Sequence, residues 1–134
     1  MTEPEQAAPV RVGCVADLPP GSVRIVPVGR FGVAVYNVNG RFYALNNFCP
    51  HMGAELGRGP ITGTTVAAEP YQRTYCRDGE IVRCPWHGWE FDIKTGETLA
   101  GRVRRVQTFR AWSEDGVVFV ASRPNGRARI KDGT

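Results

Sequence analysis

Histidine is scarce in this chain of 134 residues, which contains only two. Long apolar runs are missing as well, and none approaches the roughly 20 residues that a membrane-spanning helix needs. The first six residues are acidic and polar, so they lack the basic start and apolar centre of a secretory signal. We therefore expect no membrane partner and a cytoplasmic location, where four cysteines indicate metal or redox chemistry rather than disulfides.

Helical periodicity is also absent, apart from a short turn near Asp17, and 16 glycines and ten prolines favour a turn-rich chain. We predict an all-β domain of antiparallel strands, a small barrel or sandwich with long loops at residues 46–79 and 84–88. Asn39-Gly40 predicts a tight type I′ hairpin. The predicted strands are Ser22–Val28, Phe31–Val38, Arg41–Leu45, Glu80–Cys84, Trp89–Ile93, Val103–Trp112 and Val117–Ala121.

The net charge of +4 is concentrated late in the chain. Residues 43–100 hold five basic and seven acidic side chains, whereas residues 122–134 hold four basic side chains and one acid. We interpret residues 1–9 as a disordered leader, 10–121 as a single domain and 122–134 as a basic flexible tail. A basic tail can bind nucleic acid, but we interpret this one as a solvated end and expect no nucleic-acid partner.

Two short motifs place a thiol and an imidazole together in tight, proline-containing loops. The first is Cys49-Pro50-His51 and the second is Cys84-Pro85-Trp86-His87, with 32 residues between His51 and Cys84. Two loops with two ligands each predict a metal centre, and both histidines of the chain belong to it. A Cys2His2 set also suits structural zinc, although the usual Cys-x2–4-Cys knuckles are absent. A zinc-stabilised binding module therefore stays open as a remote alternative.

The two motifs resemble the signature of the Rieske [2Fe–2S] family, Cys-x-His followed by Cys-x-x-His-Gly. The resemblance extends over roughly residues 10–121 and includes Phe42–Leu45 before the first motif. It implies a Rieske fold, in which antiparallel strands carry a two-loop cluster-binding subdomain at about residues 43–100. It also implies one [2Fe–2S] cluster per chain. In the family, two cysteines bind one iron and two histidines bind the other through Nδ1, which assigns Cys49 and Cys84 to the first and His51 and His87 to the second.

The charge of such a cluster raises its reduction potential. Two ferric ions, two sulfides, two thiolates and neutral imidazoles sum to zero, so an added electron meets less repulsion than in a four-thiolate cluster. Rieske centres accordingly span roughly −150 to +300 mV. High-potential members carry a loop disulfide where this chain has Ala54 and Trp86, and Ser and Tyr hydroxyls where it has Trp89 and Phe91. Because these positions supply no hydroxyl to the sulfurs, we predict a potential at the low end.

The resemblance implies a one-electron carrier, the ferredoxin component type of ring-hydroxylating oxygenase systems, with a flavin reductase as donor and a terminal oxygenase as acceptor. Such oxygenases also need an iron held by two histidines and a carboxylate. Both histidines are committed to the cluster, so the chain alone is not an enzyme. The alternative is a Rieske subunit of a larger oxygenase or oxidoreductase complex.

Two cysteines lie outside this ligand set. We expect Cys14 to be a small buried residue of an N-terminal strand, and Cys76 to be structural or free. Cys76 lies in an apparent extra loop at residues 60–77, which lengthens the segment between the motifs. The sequence leaves open whether this loop recognises a partner or is a tolerated insertion.

Overall fold

The computed structural model describes residues 9–50, 53–69, 72–85, 89–99 and 105–125, and for residues 64–69 and 72–76 it describes the backbone alone. Within these ranges the chain forms antiparallel strands and two short 3-10 turns, at Val15–Asp17 and Leu56–Arg58. The first turn agrees with the turn predicted near Asp17. The strands are β1 Val10–Cys14, β2 Val23–Val26, β3 Val33–Val38, β4 Arg41–Asn46, β5 Ile61–Glu69, β6 Gln72–Arg83, β7 Glu90–Asp92, β8 Thr108–Glu114 and β9 Val117–Pro124.

The strands form two sheets, and the larger one is a nearly closed barrel. Its strand order is β1-β9-β8-β4-β3-β2, so β1 and β2 are its two edges. The Arg24 guanidinium on β2 donates from Nη1 to the Val12 carbonyl oxygen on β1 at 3.1 Å and links these edges. The smaller sheet has the order β5-β6-β7. The predicted all-β architecture is thereby confirmed.

Strand β3 is buried along its whole length because both of its faces pack against apolar side chains. Val33 and Val35 face the inside of the barrel, whereas Ala34, Tyr36 and Val38 face the smaller sheet and its loops. Two apolar clusters result. The barrel core comprises Val12, Leu18, Val26, Val28, Val33, Val35, Ala44, Phe109, Val118 and Val120. The junction core comprises Ala34, Tyr36, Val38, Leu45, Cys49, Ala54, Leu56, Val82, Cys84, Phe91, Ile93 and Val106.

The turn between β3 and β4 is the predicted hairpin. Asn39 and Gly40 both have positive φ, 52° and 92°, as a type I′ turn requires. Buried Asn37 completes the turn, because its Oδ1 accepts from the Gly40 N–H at 2.7 Å and its Nδ2 donates to the Leu18 carbonyl at 2.6 Å.

The predicted extra loop at residues 60–77 is wrong for most of its length, and the wider loop predicted at 46–79 is wrong from residue 61 onward. Residues 61–69 and 72–83 form β5 and β6, which pair as a long antiparallel hairpin. Threonine favours strands because its Cβ is branched, so a Thr- and Gly-rich composition suits a strand as well as a loop. The register shifts where Thr62 pairs with Ile81 but Thr64 pairs with Cys76, so residues 77–80 bulge out of β6.

The bulge in β6 is fixed by ion pairs. Arg77 and Gly79 have positive φ, 58° and 85°. The Arg77 guanidinium contacts Glu80 Oε1 at 3.0 Å and Asp92 Oδ2 at 2.6 Å, which ties the bulge to the end of β7. The hydrogen bond to Asp92 is the main reason that the pKa of Arg77 is raised.

Outside β5 and β6, the largest changes in predicted strand boundaries concern β8 and β9. Strand β8 begins at Thr108, and residues 105–107 of the predicted strand are not part of it, because the Val106 N–H bonds to the Gly96 carbonyl and draws this stretch onto the turn after β7. Positions 103 and 104 of that prediction lie outside the described residues. Strand β9 continues to Pro124, beyond the predicted boundary at 121, since Pro124 pairs with Phe109. The remainder of the predicted tail, from 126, lies outside the described residues, as do positions 1–8 of the predicted leader.

The prediction for Cys14 is wrong, because its side chain is exposed at the end of β1, beside the guanidinium of Arg11. For Cys76 the backbone lies in β6, and its side chain is outside the described part of the chain. In the ranges that the structure describes, no helix is long and apolar enough to cross a membrane.

Candidate metal centre

The first motif lies in loop 1, residues 47–60, which joins β4 to β5. Two main-chain hydrogen bonds close its tip, from the Cys49 N–H to the Ala54 carbonyl at 2.9 Å and from the Gly53 N–H to the Cys49 carbonyl at 2.7 Å. Gly53 has a φ of 78°, and a Cβ there would lie 3.1 Å from the Phe48 ring. Glycine is therefore required at this position for its conformation and for the ring beside it.

The second motif lies in loop 2, residues 84–89, which closes the hairpin of β6 and β7. The last strand pair is Arg83 with Glu90, and their side chains form an ion pair at 2.9 Å. The Cys84 N–H then donates to the Trp89 carbonyl at 2.7 Å. Loop 2 thus continues the ladder of the strands that precede and follow it.

The two loops meet at Gly59, near the end of loop 1. A Cβ on Gly59 would overlap the Arg83 carbonyl group and lie 3.2 Å from Pro85. One residue later, the Pro60 carbonyl accepts from the Arg83 N–H at 3.0 Å. The backbone of loop 1 therefore lies directly against the residue that precedes Cys84, and we call this contact the Gly59 joint.

The structure brings together the two cysteines of the motifs. Cys49 and Cys84 are 0% and 1% exposed, belong to the same junction core and are not disulfide-bonded. Two thiols in one dry, apolar region fit the sulfur half of a cluster whose iron takes two thiolates. The predicted histidine ligands, His51 and His87, lie outside the described residues.

Among the described residues, the junction core that contains the thiols is poor in hydroxyl groups. Ala54 and Phe91 are buried, Trp89 is half-buried against the junction core, and Trp86 lies outside the described residues. The junction core contains one phenol, Tyr36, whose hydroxyl is buried and finds no hydrogen-bond partner among the described residues. Its burial raises the pKa of Tyr36 above the ordinary value of 10.0. Sequence reasoning did not single out Tyr36, because β3 is a nearly continuous apolar run in which no alternation distinguishes one face from the other.

The outer surface of loop 1 carries an aromatic pair. The Phe48 and Phe31 rings lie 4.3 Å apart between centroids, and the Arg30 guanidinium lies 5.4 Å from the Phe31 centroid. Phe31 is 42% exposed. Arg30 and Phe31 thus lie on the solvent side of Phe48, the residue that precedes Cys49.

Comparison with known proteins places these features in a family. The Rieske [2Fe-2S] domain matches residues 8–110. Ferredoxin CarAc of Metapseudomonas resinovorans is 30% identical over 114 residues, which are 84% of this chain and 92% of the relative. The 3-phenylpropionate/cinnamic acid dioxygenase ferredoxin subunit of Escherichia coli (strain K12) is 30% identical over 107 residues, 79% of this chain and 86% of the relative.

A longer relative and a solved structure complete the comparison. Apoptosis-inducing factor 3 of Mus musculus is 35% identical over 94 residues, which are 70% of this chain but only 13% of that protein. A chain from the complex of reduced oxygenase and oxidized ferredoxin in carbazole 1,9a-dioxygenase superposes with a TM-score of 0.71 and 28% identity, covering 88% of this chain and 96% of that one. With the fold, the paired thiols and the family match in agreement, the chain belongs to the Rieske [2Fe–2S] family and its cofactor is a Rieske-type cluster rather than zinc.

Proposed function

We propose that this protein is a one-electron carrier that delivers electrons to a terminal oxygenase and receives them from a flavin reductase. The observation that carries the proposal is the meeting of Cys49 and Cys84 in one buried core of a Rieske domain. Relatives that match most of their own length to this chain are ferredoxin components, and one solved relative is complexed with an oxygenase. The protein is a carrier and not itself a catalyst. We place it in the cytoplasm.

We assign Cys49 and Cys84 to one iron of the cluster and His51 and His87 to the other. The bound cluster supplies one-electron redox chemistry. Cys49 and Cys84 hold sulfur at fixed positions at the base of the two loops, and the apolar junction core excludes water from those thiolates. His51 and His87 would give the second iron neutral ligands where Cys49 and Cys84 give the first iron anionic ones, so the histidine-bound iron would be the easier one to reduce. We propose that a partner receives the electron on the side of the cluster that His51 and His87 would hold.

The ligand assignment is tested by removing single sulfur ligands. Anaerobic reconstitution of Cys49→Ala and Cys84→Ala should give protein that lacks the cluster, because each thiolate is half of one iron's protein ligation. Cys14→Ala is the matched control, since Cys14 is exposed on β1, and it should load two irons and two sulfides like the parent. A full two-iron load on Cys84→Ala would contradict the assignment.

The histidine assignment is tested by exchanging the ligand type. His51→Cys and His87→Cys add a negative charge to the centre and should lower its midpoint potential in any protein that still holds iron. Loss of the rhombic EPR signal of the reduced protein should accompany the change. A variant with the parent's potential and signal would show that the exchanged histidine is not a ligand.

We propose that the potential lies at the low end of the Rieske range. Ala54 and Phe91 are buried beside the thiols and supply neither a thiol nor a hydroxyl. Fewer hydrogen bonds to the sulfurs leave the added electron less stabilised. A redox titration followed by visible absorbance measures the midpoint directly, and a value well above zero would contradict this proposal.

A second candidate is a Rieske subunit of a larger oxygenase or oxidoreductase complex, and it is supported by the match to 13% of a much longer relative, in which the matching segment is one part of a larger protein. The two candidates differ in whether the protein diffuses between partners. A diffusing carrier sustains many turnovers when it is present well below the concentration of its reductase and oxygenase. A subunit that stays bound in its complex supports turnover only in proportion to the fraction of complexes that contain it.

A further inference from the structure

The described residues contain two buried asparagines, Asn37 and Asn47, with similar bonding. In each, Oδ1 accepts from a glycine N–H at 2.7 Å, and Nδ2 donates to a main-chain carbonyl. Asn37 serves the β3–β4 hairpin. Asn47 lies in loop 1, two residues before Cys49, so here the same kind of bonding holds the segment that carries the Cys49 thiol.

Asn47 connects three segments of the chain. Its Oδ1 accepts from the Gly57 N–H in the second 3-10 turn, and its own N–H donates to the Gly32 carbonyl at 2.9 Å. Its Nδ2 lies 3.4 Å from the Phe31 carbonyl oxygen and 3.5 Å from Glu55 Oε1. The side chain thus joins the end of β4, the turn before β3 and the part of loop 1 that runs through Gly57 back to β5, which we call its returning limb.

The bond to Gly57 determines where the returning limb of loop 1 lies. The bond from Asn47 closes residues 47–57 into a ring, and the tip that contains Cys49 lies inside that ring. A Cβ on Gly57 would lie 2.9 Å from the Ile25 side chain and 3.0 Å from Ala34, so the limb is already seated as close to the barrel as packing allows. If the bond is lost, the limb can only move outward, and the loop opens around Cys49.

We propose that Asn47 is a positioning residue for Cys49, which holds loop 1 in the conformation that binds iron. This inference rests on the proposed function, because it concerns the same cluster. A replacement at Asn47 leaves the Gly57 N–H without its acceptor and the Phe31 carbonyl without its donor. The effect therefore reaches the cluster through the loop and not through direct contact with it.

The test compares Asn47→Ala with Asn37→Ala in the reconstituted holoprotein. Both variants lose a buried amide with the same kind of partners, so both should unfold at a lower temperature than the parent. Only Asn47→Ala should release its cluster faster to a chelator, by about 10-fold as for supporting residues of metal ligands. Only Asn47→Ala should broaden or shift the EPR signal of the reduced cluster, which a purely structural role would leave unchanged.

Asn47→Ser provides a milder change if Asn47→Ala does not retain a cluster. Its hydroxyl is shorter, so the protein should load iron but show a shifted EPR signal and faster cluster release. Parental spectra and release rates in Asn47→Ser, or equal cluster release in the two alanine variants, would overturn the proposal. A parent protein that takes up no cluster would instead refute the proposed function.

Discussion

Loop 1 and loop 2 carry the two proposed ligand pairs but are built in different ways. Loop 2 joins β6 to β7, and strand pairing up to Arg83 and Glu90 determines where its described residues lie. Loop 1 spans residues 47–60 and depends on individual side chains, among them Asn47 and Phe48. The difference shows that one half of a metal site can follow from sheet register while the other half depends on a few specific contacts.

The Gly59 joint is where loop 1 contacts the end of β6, and disrupting it should have the largest effect on cluster loading. Gly59→Ala forces a Cβ into the Arg83 carbonyl group, so either loop 1 or the end of β6 must move. We expect the variant to retain the barrel, as judged by circular dichroism, but to load less than half of the parent's iron and sulfide.

Gly116→Ala is the control for the Gly59 joint. It lies in the β8–β9 turn with a φ of 81° and nothing within 4 Å of the added Cβ, so it should lose some stability and keep a full cluster. Full iron loading of Gly59→Ala would show that the joint does not determine the spacing of the loops.

Gly53→Ala should disturb loop 1 alone. The new Cβ would lie 3.1 Å from the Phe48 ring, in addition to the strain of a φ of 78°. We expect a loss of about 1–3 kcal/mol in the free energy of unfolding and faster cluster release. Gly79→Ala has a similar φ of 85° but open space around the Cβ, so this variant shows the effect of backbone strain without a steric clash. Equal cluster release in the two variants would exclude a role for the ring.

Both loops rest on the junction core, and Tyr36 reports on how dry that core is. Burial raises the pKa of Tyr36, so the folded protein keeps the phenol neutral when the unfolded chain ionises near pH 10.0. The contribution of Tyr36 to stability is therefore complete below pH 10 and falls above it, by up to about 1.4 kcal/mol per pH unit.

Tyr36→Phe measures this contribution. At pH 8 the variant should differ from the parent by no more than about 1 kcal/mol, because the hydroxyl is buried without a partner among the described residues. Denaturant unfolding at pH 8 and at pH 11 should show the parent losing more stability than the variant. A parallel decline of both proteins would mean that water reaches the phenol.

The smallest effect should come from the ion pair that borders loop 2. Arg83 and Glu90 are 45% and 23% exposed, so their attraction is screened by water. Arg83→Met should reduce stability by about 0.2–1 kcal/mol in thermal unfolding and leave the visible spectrum of the cluster unchanged. A large loss of cluster would show that loop 2, like loop 1, depends on single side chains.

Features that depend on neighbouring residues were predictable from the sequence. Asn39-Gly40 predicts its hairpin because the turn needs two positive φ values, and the Cys-x-His and Cys-x-x-His motifs mark the loops because their ligands are close in the chain. The family and its cofactor followed from those motifs. The four-ligand assignment stays a proposal, since His51 and His87 lie outside the described residues.

Features that depend on distant contacts were not predictable. Residues 60–77 have a composition that suits both strand and loop, and pairing between β5 and β6 decides for strand. The start of β8 depends on the bond between Val106 and Gly96, which no local pattern signals. Asn47 and Gly59 were missed because one asparagine or glycine in a loop has no distinctive spacing, and their roles emerge only from the segments that they contact.

The β5–β6 hairpin begins and ends at the same place, and this has a consequence for changes in its length. Strand β5 starts at Ile61, beside the Gly59 joint, and continues as extended chain to Glu69, while β6 returns to Arg83 at the same place. The base of the hairpin is fixed by the pairing of Ile61 with Val82, and Glu69 pairs with Gln72 at the opposite end. Evolution can therefore lengthen or shorten the hairpin at the Glu69 end while the Gly59 joint, and with it the segments that carry Cys49 and Cys84, keeps its place.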